Sequence, residues 1–214
     1  MANCFTTFET ANTAWAGRGC HPNWERLKTI KRYRMECQLV GFCGGTPAAN
    51  LKTWEPGLLT AHAIVLQRSF IGSQDLSLFP GLGSLHGCEA IMEAIFAQPT
   101  FLPKATLLGI DKNGDPVASI QAMEGLGEGL IMNVGVVPHA QGQGWGKLII
   151  RQCLEAMSVD GMKFASLEVT GGNKAAIHLY SGIGFCKTRV QYLPLQENPP
   201  TSKFGFWELP LNLW

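Results

Sequence analysis

A nearly continuous apolar run followed by a cluster of glycines constrains this chain more than any other part of its sequence. Residues 129–137 read GLIMNVGVV, Pro138 follows, and three glycines then fall within residues 142–146, just before the helix-forming stretch 147–157. Such an apolar run is typical of a buried central strand, which a proline ends. Glycines at the start of a helix let backbone N–H groups approach an anion. The segment predicts a strand, a glycine loop and a helix that begins at an anion site. The alternative is that these glycines serve packing alone.

The rest of the chain alternates strand-like and helix-like segments. Asn113-Gly114 separates two apolar segments and predicts a hairpin. We predict strands at 32–40, 106–111, 116–123, 164–169, 185–193 and 204–211, and helices at 56–70, 88–98, 147–157 and 174–181. Residues 1–30 show no period, and we predict an N-terminal extension there, either poorly ordered or laid over the domain through Trp15 and Trp24. A single domain is predicted for residues 31–214.

Composition narrows the class of partner. Seventeen Lys and Arg balance sixteen Asp and Glu, so there is no basic field for nucleic acid. The apolar segment 57–66 is too short to cross a bilayer, so no membrane partner is predicted. Seven scattered cysteines without a C-x-x-C pair favour a reducing, cytoplasmic setting. We predict no metal site, because four histidines show no ligand spacing: His62, His86, His139 and His178.

Three phosphate-binding patterns compete for the glycine loop. A dinucleotide fingerprint would need glycine where Lys147 stands. A P-loop would need glycine at Gln141 and a hydroxyl residue at Leu148. The remaining pattern is Q-x-x-G-x-G over residues 141–146, whose N–H groups at a helix start suit a diphosphate.

A second motif follows this loop. Residues 167–185 read LEVTGGNKAAIHLYSGIGF. Together the two motifs resemble the GCN5-related N-acetyltransferase (GNAT) family, and they look most like its ribosomal-protein alanine N-acetyltransferases. The resemblance covers residues 101–193 most strongly and does not reach the first thirty. It implies an α/β fold with a mixed, mostly antiparallel seven-stranded sheet, helices on both faces, and strands that separate after NVGVV to admit acetyl-coenzyme A.

The resemblance also assigns cofactor contacts. It implies that one strand's backbone pairs with the pantetheine arm, that the glycine loop takes the pyrophosphate, and that an asparagine reaches the cofactor or only caps its helix. The residues so implied are Val134, Gly135, Val136, Val137, Gln141, Gly142, Gln143, Gly144, Trp145, Gly146, Lys147 and Asn173.

Two catalytic residues are implied in the same way. Tyr180 stands at the family's tyrosine and would protonate the leaving thiolate; the alternative is a core aromatic. Glu168, twelve residues earlier, would take the amine's proton; the alternative is a solvent-facing strand glutamate. Leu130 stands where histone acetyltransferases place a glutamate, which disfavours that mechanism.

The sequence thus leads to one favoured activity and one rival. The favoured activity is direct acetyl transfer from acetyl-coenzyme A to a primary amine, on a small molecule or a protein N-terminus, by a monomer or homodimer. The rival is a non-catalytic acyl-coenzyme-A-binding sensor or interaction module. Residues 54–100 and 196–203 are expected to choose the acceptor.

Overall fold

The computed structural model describes residues 28–42, 45 and 48–195. Within them the chain forms seven strands and four α-helices, joined by short 3-10 turns. In chain order they are β1 (Thr29–Gln38), β2 (Leu51–Thr53), α1 (Leu59–Phe70), α2 (Leu85–Phe96), β3 (Leu107–Ile110), β4 (Pro116–Glu124), β5 (Gly129–Val136), α3 (Trp145–Val159), β6 (Phe164–Thr170), α4 (Lys174–Ile183) and β7 (Cys186–Pro194).

All seven strands belong to one sheet in the order β2-β3-β4-β5-β6-β1-β7. Every neighbouring pair is antiparallel except β5 and β6, which are parallel. The hairpin predicted at Asn113-Gly114 joins β3 to β4, and Gly114 has a φ of 88° that this tight turn requires. The predicted mixed, mostly antiparallel sheet is confirmed.

Helices cover both faces of this sheet, as predicted. Alternate residues of β4 show the two faces: Ile120 packs in the cluster that holds α3, whereas Ser119 bonds to His62 of α1. The apolar side of α3, with Ile150 and Leu154 fully buried, covers one face. Helices α1 and α2 form a second cluster on the other face.

The position of β1 is not one that the sequence predicts. It is first in the chain, yet it lies between β6 and β7 and pairs antiparallel with both. It begins at Thr29, inside the predicted extension, whose residues 1–27 lie outside the described residues. The short strand β2 was not predicted, and the strand predicted at 204–211 also lies outside the described residues. In the described ranges, each helix falls short of the length and apolar character needed to cross a bilayer.

The parallel pair at the centre of the sheet separates along its length. Strand β5 pairs with β6 only from Gly129 to Ile131, opposite Ala165 to Leu167. Past Ile131 the two strands diverge, and a register shift between Gln121 and Ala122 of β4 falls opposite this point. The divergence opens a gap at the carboxyl ends of β5 and β6, as the resemblance implies, but it begins after Ile131 and not after NVGVV.

Candidate active site

A cleft occupies the gap between β5 and β6. Its walls come from β1, β5, β6, α4 and the loop that joins α1 to α2. Four of the sequence-predicted site residues line it together: Val134, Glu168, Asn173 and Tyr180. The other predicted residues continue from Val134 along β5 and into the loop before α3, so they do not line the cleft itself.

The backbone of β5 beyond Ile131 has a sheet partner on one side only among the described residues. Val134 to Val136 pair with β4, while β6 has already turned away. Val137 donates its N–H to the carbonyl of Val117, and the Gln141 side chain donates from Nε2 to the carbonyl of Val136 at 3.0 Å. The edge of β5 that lacks a second strand therefore leaves room for an extended ligand to add to the strand.

Two glycines shape the loop and a third serves packing. Gly142 and Gly144 have φ values of 75° and 89°, and a Cβ at either would meet nothing within 4 Å. Their requirement is conformational, because other residues rarely adopt positive φ. At Gly146 a Cβ would lie 2.9 Å from Cδ2 of Leu179, so this glycine lets α3 approach α4. Packing therefore accounts for Gly146 but not for Gly142 or Gly144.

Trp145, which opens α3, points its side chain into the protein. Its indole ring would lie 3.0 Å from a Cβ at Gly109, and the residue packs in two core clusters. Its backbone N–H lies at the start of α3, beside the loop. Gln143 is also engaged, since its Nε2 donates to the carbonyl of His139 at 2.9 Å, whereas Lys147 is exposed. The N–H groups of the first helical turn have no acceptor within the helix.

Tyr180 lies on α4 with 8% of its surface exposed. Burial raises the pKa of its phenol well above the usual value, and the negative charge of Asp75 raises it further. The phenol therefore stays protonated throughout the neutral range, as a proton donor must. The ring also contacts Phe185, with centroids 5.9 Å apart, so Tyr180 takes part in the core as well.

Glu168 lies on β6 and does not face solvent. Its side chain is 9% exposed, and its carboxylate lies 3.5 Å from Nε of Arg32 and 3.8 Å from Nη2 of Arg189. Burial raises the pKa of this carboxyl, while Arg32, Arg189 and Arg34 act in the opposite direction. The alternative of a solvent-facing strand glutamate is wrong, because the side chain lies in the cleft beside Arg32 and is largely buried there.

Arginines from β1 are the site residues that sequence reasoning missed. Arg34 is paired in register with Glu168, and Arg32 lies two residues away along the same strand. Arg32 is 7% exposed, and burial lowers the pKa of its guanidinium while the charges of Glu168 and Asp75 raise it. Nothing in the local sequence of β1 signals these contacts, because they depend on where the strand joins the sheet.

Asn173 caps α4, and His62 belongs to the core. The Oδ1 atom of Asn173 accepts from the N–H of Ala176 at 3.0 Å, which confirms the capping interpretation, and the residue also lines the cleft. His62 is fully buried, its Nδ1 lies 2.8 Å from Oγ of Ser119, and burial lowers its pKa to about 4. His62 is not among the residues that line the cleft.

Comparison with known proteins gives the family. The model of the acetyltransferase (GNAT) family matches residues 83–185. Mycothiol acetyltransferase of Streptomyces griseus is 30% identical over 153 residues, which are 70% of this chain and 47% of that protein. The ribosomal protein bS18-alanine N-acetyltransferase of Escherichia coli is 29% identical over 90 residues, which are 41% of this chain and 61% of that protein.

A solved structure supports the same fold. A GCN5-related N-acetyltransferase from Sphaerobacter thermophilus aligns with a TM-score of 0.63 at 16% identity, over 82% of this chain and 55% of that one. The chain spans about half the length of the mycothiol acetyltransferases it matches. Residues 83–185 of this chain therefore form an acetyltransferase (GNAT) domain.

Proposed function

We propose that this protein transfers an acetyl group from acetyl-coenzyme A directly to a primary amine. The observation that carries the proposal is that Tyr180 and Glu168 line the same cleft, where β5 and β6 separate. One group is a protonated phenol and the other a largely buried carboxylate, which are the donor and acceptor that aminolysis of a thioester needs.

The residues around the cleft fit acetyl-coenzyme A. The edge of β5 from Val134 to Val136 lacks a second strand, although the Val136 carbonyl accepts from Gln141, and it suits an extended pantetheine arm. Asn133 beside it has a buried Nδ2 without a hydrogen-bond partner among the described residues. The loop from Gln141 to Lys147 offers N–H groups to a pyrophosphate, with open space beside Gly142 and Gly144. Trp145 would contact the cofactor through its backbone. The remaining proposed cofactor contacts are Val137, Gln143, Gly146 and Asn173.

The chain's own side chains then handle the protons. Acetyl-coenzyme A supplies a thioester whose carbonyl carbon an amine attacks. Glu168 takes a proton from the acceptor's ammonium group, directly or through water, so that its nitrogen has a lone pair. Tyr180 gives its proton to the departing sulfur, and the second proton that the nitrogen loses as the amide forms restores the phenol. The products are an amide and a free thiol, and one proton is released overall to solvent.

The relatives support an amine acceptor without naming it. One is a mycothiol acetyltransferase and another acts on the alanine of a ribosomal protein. We propose both acceptor classes, a small-molecule amine and a protein N-terminus. We also propose a reducing, cytoplasmic setting. The cysteines in the described part of the chain, Cys37, Cys88, Cys153 and Cys186, are free thiols.

Thiol release tests the proposal. The protein is offered acetyl-coenzyme A with a panel of peptides, polyamines, amino acids, arylalkylamines and aminoglycosides, and the free thiol is measured. We expect release that depends on one class of amine. Binding of acetyl-coenzyme A without release for any amine would support the sensor instead.

A further inference from the structure

The loop between α1 and α2 brings a second carboxylate to the cleft. Asp75 lies in the 3-10 turn Gln74–Ser77 and lines the cleft with Glu168 and Tyr180. Its Oδ1 accepts a hydrogen bond of 2.6 Å from the hydroxyl of Thr170, the last residue of β6. That bond fixes the loop against the strand that carries Glu168, so Asp75 has a defined position at the site.

The two carboxylates differ in how their charge is balanced. Glu168 has two arginine nitrogens within 4.0 Å, from Arg32 and Arg189. In the described ranges, no Lys, Arg or His nitrogen lies that close to Asp75, although Arg32 acts on it at longer range. A cation that enters the cleft therefore meets a carboxylate without an ion-pair partner at Asp75, and one already paired at Glu168.

Half of the residues that line the cleft with Asp75 are apolar. Phe70, Phe79, Leu82 and Met132 line the same cleft. The guanidinium of Arg32 lies over the ring of Phe79, 5.0 Å from its centroid. A ligand whose ammonium group bonds to Asp75 would place its carbon body against these side chains, away from water.

We propose that Asp75 binds the ammonium group of the acceptor, and that the acceptor is a small primary amine, protonated at neutral pH, with an apolar arm. This inference rests on the proposed acetyl transfer and adds the class of acceptor to it. Asp75 holds the ammonium group in the cleft, while Glu168 removes its proton.

Two amines of nearly the same shape distinguish the effect of the ligand's charge from the effect of its shape in the cleft. Benzylamine is a cation at pH 7, whereas phenylhydrazine is largely neutral. For each amine we measure the KM as an acceptor, or the inhibition constant against the fastest acceptor found. Both the parent protein and Asp75→Asn are measured. The asparagine keeps the size of the side chain and can still accept the hydrogen bond from Thr170. Asp115→Asn in the exposed β3–β4 turn is the matched control, since it removes the same charge far from the cleft.

We expect Asp75→Asn to raise the KM or inhibition constant of benzylamine by roughly ten- to a hundredfold, the usual effect of losing a charged hydrogen bond. Phenylhydrazine should change by less than about threefold, and Asp115→Asn should change neither amine. Equal losses for both amines, no loss for benzylamine, or a parent that binds phenylhydrazine as tightly as benzylamine would each overturn the role of Asp75. Thiol release by the parent shows in the same assay that acetyl transfer itself stands; a parent that releases none contradicts the proposed function.

Discussion

The two sides of the cleft encode their chemistry in different ways. On the β5 side, a contiguous segment from Val134 to Lys147 supplies the strand edge, the loop and the start of the helix. On the other side, Glu168 on β6, Arg32 on β1 and Asp75 in the α1–α2 loop come from three separate segments. The first side depends on local backbone conformation, and the second depends on how distant strands and loops meet. A short motif can specify the first, but the second exists only in the folded sheet.

The largest expected effect lies on the contiguous side. Gly144→Glu puts a bulky anion beside the loop that we propose for the pyrophosphate, so affinity for coenzyme A should fall by more than about a hundredfold, as measured by calorimetry. The matched control is Gly114→Glu in the β3–β4 turn, where φ is 88° against 89° at Gly144 and a Cβ likewise meets nothing within 4 Å. Both variants carry the same backbone strain and charge. Equal affinities in the two variants would remove the loop from the cofactor site.

Glu168→Gln should have a smaller effect that depends on pH. Because burial raises the pKa of Glu168, the acid limb of the parent's rate should lie above the ordinary carboxyl range. The glutamine removes this base, so the rate at pH 7 should fall by roughly ten- to a hundredfold and recover near pH 9 to 10, where the amine loses its proton unaided.

Glu168→Gln needs a control for the ion pair that it removes from the neighbouring arginines. Glu168→Gln also weakens the pairing of Arg32, so the free energy of unfolding is measured with the rate. Glu36→Gln takes a carboxylate from Arg34 on the same strand, whose Nε lies 2.9 Å from it, at a residue that does not line the cleft. A pH–rate profile in Glu168→Gln that follows the parent's would show that Glu168 takes no proton.

The smallest effect is expected at Asn173. Asn173→Ala removes the α4 cap and should lower the free energy of unfolding by about 1 kcal/mol. Ser84→Ala is the matched variant, since the Ser84 hydroxyl caps α2 by accepting from Gly87 at 3.0 Å. If Asn173 also contacts the cofactor, only Asn173→Ala should weaken coenzyme A binding, by roughly three- to tenfold. Equal binding in both variants would leave Asn173 as a cap alone.

The same contrast explains what the sequence could predict. The β3–β4 hairpin, the glycine loop and the capped α4 follow from residues adjacent in the chain, and they are confirmed. The place of β1 between β6 and β7 depends on strands more than 120 residues further along the chain, so Arg32 was not predicted, and the sequence left open whether Glu168 faces solvent. Asp75 was missed because one acidic residue in a loop has no periodic or motif signal.

Tyr180 connects the two sides, and its removal tests the account most directly. Tyr180→Phe keeps the ring that contacts Phe185 but deletes the proton donor. With the amine class found for the parent, thiol release and amide formation are measured together. We predict equimolar thiol and acetylated amine from the parent, and a rate lower by roughly ten- to a thousandfold in Tyr180→Phe with acetyl-coenzyme A affinity nearly unchanged. An unchanged rate in Tyr180→Phe would contradict the role of Tyr180 as proton donor. A parent that binds acetyl-coenzyme A but forms no amide with any amine would contradict the proposed acetyl transfer.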